Sequence, residues 1–330
     1  MTPAPSAALD EEPTINDPRA PQDPPTRPGA AHPGHSRPDA ARLDAVGMVR
    51  TARERVVARV GEAEVVAAAL SAGRNVVLEG PPGTGKTTLL RALADGTGVP
   101  LVLVEGNAEL TPTRLVGHHD ASRVLTEDYR PENFVPGPLT RAMTEGALLY
   151  VEEFNRVPEE TMNVLLGVLS EREMHVPRYG RVPARPTFRL VAAMNPFDAV
   201  GTARITPALY DRSCRVAMGY QDEDAERAVV AAATGGLEAL VHRAVRAVRI
   251  TRDHAELRIG ASVRGAIDTV LIATELAVVR GVAEVDERTG ADAALAALTG
   301  KVTVADGLTR PVEAVVSDIW RRAGEELGKA

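Results

Sequence analysis

The sequence predicts an α/β fold, a parallel sheet sandwiched by helices, followed by an all-helical region. Three observations carry that reading. Short runs of β-branched residues alternate with segments of helical periodicity as far as about Tyr220. A glycine-rich loop, Gly80-Pro81-Pro82-Gly83-Thr84-Gly85-Lys86-Thr87, joins the first such run to the next helix. Beyond Tyr220 the strand-like runs stop. Strands that alternate with helices pair in parallel and are covered on both faces.

Residues 1–42 are read as a tail outside the fold. Pro24-Pro25, Pro28-Gly29, Pro33-Gly34 and Pro38 interrupt any regular element there, and such a composition buries too little apolar surface to offset the entropy of ordering. From Leu43 onward apolar residues recur at helical spacing, with Val56, Val57 and Val60 leading to Val65, Val66 and Leu70. Asn75–Glu79 is then a buried strand. The helix after the loop carries Leu89, Leu90 and Leu93 on one face and stops near Gly96 and Gly98. Leu101–Val104, Ala147–Val151, Phe188–Ala193 and Cys214–Met218 read as further strands. Pro138–Glu145, with proline in its first turn and Gly146 as its stop, and Pro158–Glu173 read as the helices between them. Asp222–Ala233, Gly236–Ile250 and Ser262–Arg280 read as helices with no strand between them. The expected division is an α/β domain over 43–219 and a helical domain with a C-terminal extension over 220–330.

Composition narrows the class. The 330 residues are 44% hydrophobic and 25% charged, ordinary for a globular chain, with only 3% aromatics, so the core must be mostly Ala, Val and Leu. A net charge of −7 argues against a general nucleic-acid binder, which needs a basic footprint. One cysteine, Cys214, forms no internal disulfide, and a reducing compartment follows. No apolar leader or membrane span is evident: Val263–Val279 is interrupted by Arg264, Asp268 and Glu275. A cytoplasmic protein without a membrane partner is expected.

The loop carries the chemistry. Gly80–Thr87 satisfies every fixed position of G-x-x-x-x-G-K-[ST], with a strand before it and a helix after it. Its backbone N–H groups cradle phosphates and the helix N-terminus faces the same anion. Gly80, Pro81, Pro82, Gly83, Thr84, Gly85, Lys86, Thr87 and Thr88 are therefore the expected contacts to ATP. Lys86 is aimed at the β- and γ-phosphates, the Thr87 hydroxyl at magnesium, and Thr88 supports the α-phosphate. Leu148–Val151 delivers Glu152 and Glu153 to the ligand edge of the sheet. Side-chain alternation lets the two divide the work: Glu152 for magnesium, Glu153 for the attacking water. Asn195, at the next strand tip, faces the γ-phosphate or the lytic water, although Asn-Pro alone also signals a turn.

At this point the chain resembles the MoxR family of AAA+ ATPases. The resemblance runs through Gly80–Thr88, Phe134-Val135-Pro136-Gly137-Pro138-Leu139, Glu152-Glu153-Phe154-Asn155-Arg156, Val191–Pro196 with Phe197, and Tyr210-Asp211-Arg212. It implies a P-loop NTPase sheet with a helical lid, and ATP hydrolysis. Asn195 becomes the sensor 1 residue, Arg212 an arginine finger and Arg264 the sensor 2 arginine of the lid. It further implies a homo-oligomeric ring, expected as a hexamer, and an adaptor with a von Willebrand factor A domain. The implied role is a chaperone-like remodelling motor for a client complex, including metalloenzymes such as molybdenum hydroxylases. The chain departs from many relatives in having Glu152 where they have aspartate, which lengthens the magnesium arm by one methylene. On the residues alone Arg212 is equally a surface partner of Asp211, and Arg264 a solvated residue in the first turn after Ser262.

Other features are read more plainly. His118-His119-Asp120 is a polar loop rather than a metal site. Met174–Thr187 is a hairpin whose Arg178, Arg181 and Arg185 either meet a client or are solvated. Arg243, Arg246 and Arg249 form a stripe read as a solvated face. The rival functions are a nucleotide-gated module with negligible hydrolysis, a nucleic-acid remodeller and, less well fitted, a small-molecule kinase.

Overall fold

The structure, a computed structural model, describes residues 42–196 and 207–327. The expected N-terminal tail as far as residue 41, Phe197 and most of the Gly201–Leu209 segment lie outside the described residues. The chain opens with α1 (Ala45–Arg55) and α2 (Val60–Ser71), then β1 (Asn75–Glu79), the loop, α3 (Lys86–Thr97) and β2 (Leu101–Glu105). An excursion follows through α4 (Pro112–Val116), β3 (Gly117–His119), α5 (Ala121–Glu127) and β4 (Phe134–Pro136). The α/β alternation resumes with α6 (Pro138–Glu145), β5 (Leu148–Glu152) and α7 (Glu159–Glu171). A hairpin of β6 (Glu173–Val176) and β7 (Gly180–Pro183) leads into β8 (Arg189–Met194), and α8 (Pro207–Asp211) into β9 (Ser213–Ala217).

The main sheet has the order β2-β5-β8-β1-β9, with every neighbouring pair parallel. Central β1 and β8 are buried at every position, and β5 at all but its last, whereas the edge strands β2 and β9 are mostly part-exposed. That is the burial expected of a parallel sheet with helices on both faces. Alternation sorts the strands onto two cores. Val76, Leu78, Leu148, Tyr150 and Val191 pack with Leu70, Leu89 and Leu93 of α2 and α3. Val77, Leu149, Val151, Leu190 and Ala192 pack on the other face with Leu139, Met143, Met162 and Leu165 of α6 and α7.

The last third comprises α9 (Glu223–Thr234), α10 (Glu238–Asp253), β10 (Leu257–Ile259), α11 (Val263–Arg280), α12 (Glu287–Leu298), β11 (Thr303–Val304) and α13 (Val312–Leu327). The expectation of an all-helical region is corrected here, because β10 and β11 form a small antiparallel ladder. Two- and three-residue strands are too short for a period-2 pattern to be visible. The Arg243, Arg246, Arg249 stripe is also corrected. Arg243 pairs with Glu287 and stacks 4.3 Å over Trp320. Arg246 pairs with Glu326 at 2.7 Å, and Arg249 with the buried Glu226 at 3.1 Å. The stripe is mortar between helices.

Two more readings change. The helical run from Leu43 is not continuous: it breaks at Val56–Arg59, where Ala58 takes φ +50°. His118 and His119 lie in β3 rather than a loop, and the His119 ring meets Tyr129 and Phe134 edge-on at 5.3 and 5.4 Å. Among the described residues no cluster of three or more His, Cys, Asp or Glu side chains could hold a metal ion, and no helix is long and apolar enough to cross a membrane.

Trp320 is only 2% exposed in the core shared by α10, α11, α12 and α13. Trp320→Ala should destabilise the protein by about 3–5 kcal/mol, measured by denaturant unfolding. A loss below about 1 kcal/mol would place Trp320 outside the load of that core.

Candidate functional site

The loop is built for an anion. Gly83 and Gly85 adopt φ +77° and +85°, a conformation glycine takes without a Cβ penalty. Gly85 is the N-cap of α3 and no side chain caps the helix, so its first N–H groups remain available to a ligand. Lys86 Nζ donates to the carbonyls of Gly80 and Pro81 at 2.8 and 2.9 Å. Burial pushes the Lys86 ammonium below its ordinary pKa, Glu153 and Glu152 oppose that shift, and Arg264 and Arg59 reinforce it. An incoming polyanion relieves the same strain.

The acidic strand tip meets the loop directly. The Thr87 hydroxyl donates to Glu152 Oε1 in a short contact. The Tyr150 hydroxyl lies 3.2 Å from Thr87 Oγ1 and donates to Glu152 at 3.3 Å. Burial drives the Tyr150 hydroxyl pKa well above its usual value, so it stays a neutral donor. The two glutamates do not divide their work by strand alternation, as the sequence suggests. The strand ends at Glu152, and Glu153 turns into the left-handed region at φ +49°. That turn brings both carboxylates to one cavity. A non-glycine residue held there costs on the order of 1–3 kcal/mol, a strain that clusters at functional sites.

This cavity, about 220 Å³, is bounded by Pro82–Thr88, Glu152, Glu153, Arg156, Asn195 and Arg264. Asn195 follows the last residue of β8, and its carbonyl accepts from Asn155 Nδ2 at 3.5 Å. Glu153 Oε2 lies 3.3 Å from Arg156 Nε, yet it and Asn155 Oδ1 are buried without a hydrogen bond of sound geometry. Buried polar atoms left in this state want a ligand or water. The donor set, a threonine hydroxyl plus two carboxylates beside a phosphate cradle, fits a hard cation such as magnesium. Arg264 sits in the first turn of α11, as expected. Ser262 holds the N-cap position without a side-chain cap bond; its hydroxyl lies instead against Gly83, where an added Cβ would approach it to 2.4 Å.

A second cavity, about 370 Å³, adjoins the first and shares Gly83, Thr84, Gly85, Thr88 and Arg264 with it. Its walls are Val56 and Val57 from the α1–α2 break, Val229, Ala232 and Ala233 from α9, and Val263 and Ile267 from α11. Gln221 and Arg59 supply polar groups: Gln221 Nε2 donates to the Val57 carbonyl at 2.6 Å and Arg59 to the Gly219 carbonyl at 2.6 Å. A cavity with apolar walls and a few polar groups beside a phosphate cradle suits a nucleobase. The sequence reading missed it, because Val56 and Val57 look like ordinary helix residues until the chain is seen to break between them and Val60.

Arg212 is the expected site residue that the structure leaves apart. It precedes β9, and its carbonyl accepts from Asn75 Nδ2 at 3.3 Å at the opening end of β1. The loop leaves β1 at the other end, roughly 16 Å along the strand at about 3.3 Å per residue. Arg212 Nε donates to Ser170 Oγ at 2.7 Å and Nη1 to the Ala208 carbonyl at 2.9 Å. It is not placed to serve its own loop. In the β6–β7 hairpin, Arg178 stacks 3.9 Å from the Tyr129 ring and Arg181 pairs with Glu173.

The strand order, the loop after β1 and the acidic tip of β5 define the class: a P-loop nucleotide-binding domain of the AAA+ type. Residues 75–213 match the AAA domain of the dynein-related subfamily, and the chain is similar to gas vesicle ATPases of the GvpN type. It is 34% identical over 201 residues to the gas vesicle ATPase GvpN of Ancylobacter aquaticus, covering 56% of each chain. It is 32% identical over 209 residues to gas vesicle ATPase GvpN2 of Halobacterium salinarum, covering 58% of this chain and 60% of that one. The matches thus span 56–60% of the length of these curated relatives. Among solved structures, a point mutant of RuvB from Thermotoga maritima shares the fold, with a TM-score of 0.51 and 15% identity over 73% of this chain and 70% of that one.

Gly83→Ala combines a disfavoured φ with a collision at Ser262, and should lower nucleotide affinity at least about tenfold, read by titration with a fluorescent nucleotide. Unchanged affinity would contradict the close packing of the loop against Ser262 at the start of α11.

Proposed function

We propose that the protein binds ATP with magnesium, hydrolyses it, and uses the cycle to remodel a client protein complex from within a homo-oligomeric ring. The observation that carries the reading is the contact of Thr87 with Glu152 in the cavity that also holds Lys86, Glu153, Asn195 and Arg264. Thr87 and Glu152 would hold magnesium, directly or through water, and that ion supplies charge neutralisation at the phosphates. Lys86 exchanges its carbonyl partners for phosphate oxygens. Glu153 orients and deprotonates the attacking water, and its strained backbone keeps the carboxylate facing the cavity. Asn195 fixes that water or the γ-phosphate from the adjacent strand tip. Arg264 ties the phosphates to the lid, so hydrolysis releases one grip between the α/β domain, 43–219, and the helical domain after it.

Arg212 points the reading toward a ring. It lies at the far end of the sheet from its own loop, so an arginine finger at this position acts on the ATP of a neighbouring subunit. In the isolated chain Ser170 and Ala208 park it. A hexamer and a von Willebrand factor A adaptor are the partners this reading adds. For the client, the resemblance of the sequence motifs favours a metalloenzyme such as a molybdenum hydroxylase. The similarity to the gas vesicle ATPases favours instead an assembly of the gas vesicle kind.

Glu153→Gln should leave ATP binding intact and lower steady-state phosphate release at least about 100-fold, measured in the presence of magnesium. Undiminished release in that variant removes Glu153 from the mechanism. DNA-stimulated turnover that falls steeply with salt would move the protein to the nucleic-acid remodellers instead.

A further inference from the structure

Strand β1 is buried throughout and apolar except at its two ends, Asn75 and Glu79, and both bond to the segment that carries Arg212. Asn75 Nδ2 holds the Arg212 carbonyl at 3.3 Å, while Asn75 Oδ1 accepts from the Leu190 N–H at 3.0 Å. At the other end Glu79 is 4% exposed. Its Oε1 accepts from the Tyr210 hydroxyl at 2.5 Å and its Oε2 from Arg215 Nε at 2.5 Å. Burying a carboxylate is costly unless it is fully paired, and here both oxygens are committed to the α8–β9 segment. The hydroxyl of Tyr210 has its pKa pushed up to about 12 by burial and by Glu79, so it remains a donor.

Glu79 is also the residue from which the phosphate loop springs. Gly80 follows it, the Gly80 N–H donates to the Met194 carbonyl at 3.1 Å, and the Glu79 carbonyl accepts from Met218 at 2.7 Å. Its backbone is therefore fixed to the strand tip that precedes Asn195, and its side chain to the helix that ends one residue before Arg212.

We propose that Glu79, through Tyr210, is a positioning residue for Arg212, joining the subunit's own phosphate loop to the arginine it offers a neighbour. A shift of the loop on nucleotide binding or release then moves α8 with it, and the arginine is presented according to the state of its own subunit's site. This rests on the reading of Arg212 as a finger acting between subunits.

The test is a cycle of variants in the full chain, assayed with ATP and magnesium. Tyr210→Phe removes one hydroxyl and leaves the carboxylate and the loop in place. Turnover should fall by about tenfold or more, with the ATP dissociation constant and the melting temperature unchanged. In an Arg212→Ala background the same change should produce no further fall, because the residue it positions is gone. Equal losses in both backgrounds, or wild-type turnover in Tyr210→Phe, would overturn the inference. A loss of affinity or melting temperature in step with turnover would assign Glu79 to stability alone and overturn it as well. The reading beneath it is tested separately. If Arg212→Ala turns over normally, the finger fails and the inference with it; if Arg212→Ala is impaired and Tyr210→Phe is not, only the inference fails.

Discussion

The structure depends on one junction: the start of α3, with its uncapped N–H groups, is held against the acidic tip of β5. Thr87 and Glu152 meet there, and everything else in the site is arranged around that meeting. The fold supplies the constraint. Five parallel strands end along one edge, and the order β2-β5-β8-β1-β9 places the loop strand beside the Asn195 strand, with the glutamate strand next beyond it. Ligands in such sheets gather at the carboxyl ends of the strands. Three strand ends thereby converge on a cavity of about 220 Å³, which Arg264 of α11 also bounds.

The charges at the junction only partly offset one another within the protein. Lys86 leans on two carbonyls of its own loop, and Arg59 and Arg264 add positive field beside it. Glu152 and Glu153 offset part of that field. A polyanion with a divalent cation restores both sides at once: the amides and cations gain an anion, and the carboxylates gain a metal. The second cavity extends the site to the helical region, so that one ligand would touch Val57, the loop and the first turn of α11.

Much of this was legible in the residues. The runs Asn75–Glu79 and Pro138–Glu145 matched their elements end to end, and other strand and helix ends fell within a few residues. Apolar runs closed by glycine carry that much information. The left-handed turn at Glu153 was not legible, because a glutamate there is held by its surroundings and not by its own preference. The β10–β11 ladder was too short to leave a pattern. The pairing of Arg243, Arg246 and Arg249 depends on Glu223, Glu226, Glu287 and Glu326, acids that only the fold brings near. The second cavity was hidden for the same reason, since its walls come from α9, α11 and a break between two helices.

The most direct measurement is equilibrium binding of ATP to the full chain by calorimetry, with and without magnesium. The account predicts tight binding that weakens when magnesium is chelated and is lost when Lys86 is replaced by alanine. Folded protein with no magnesium-dependent affinity for ATP, or with affinity indifferent to the Lys86 ammonium, would contradict it.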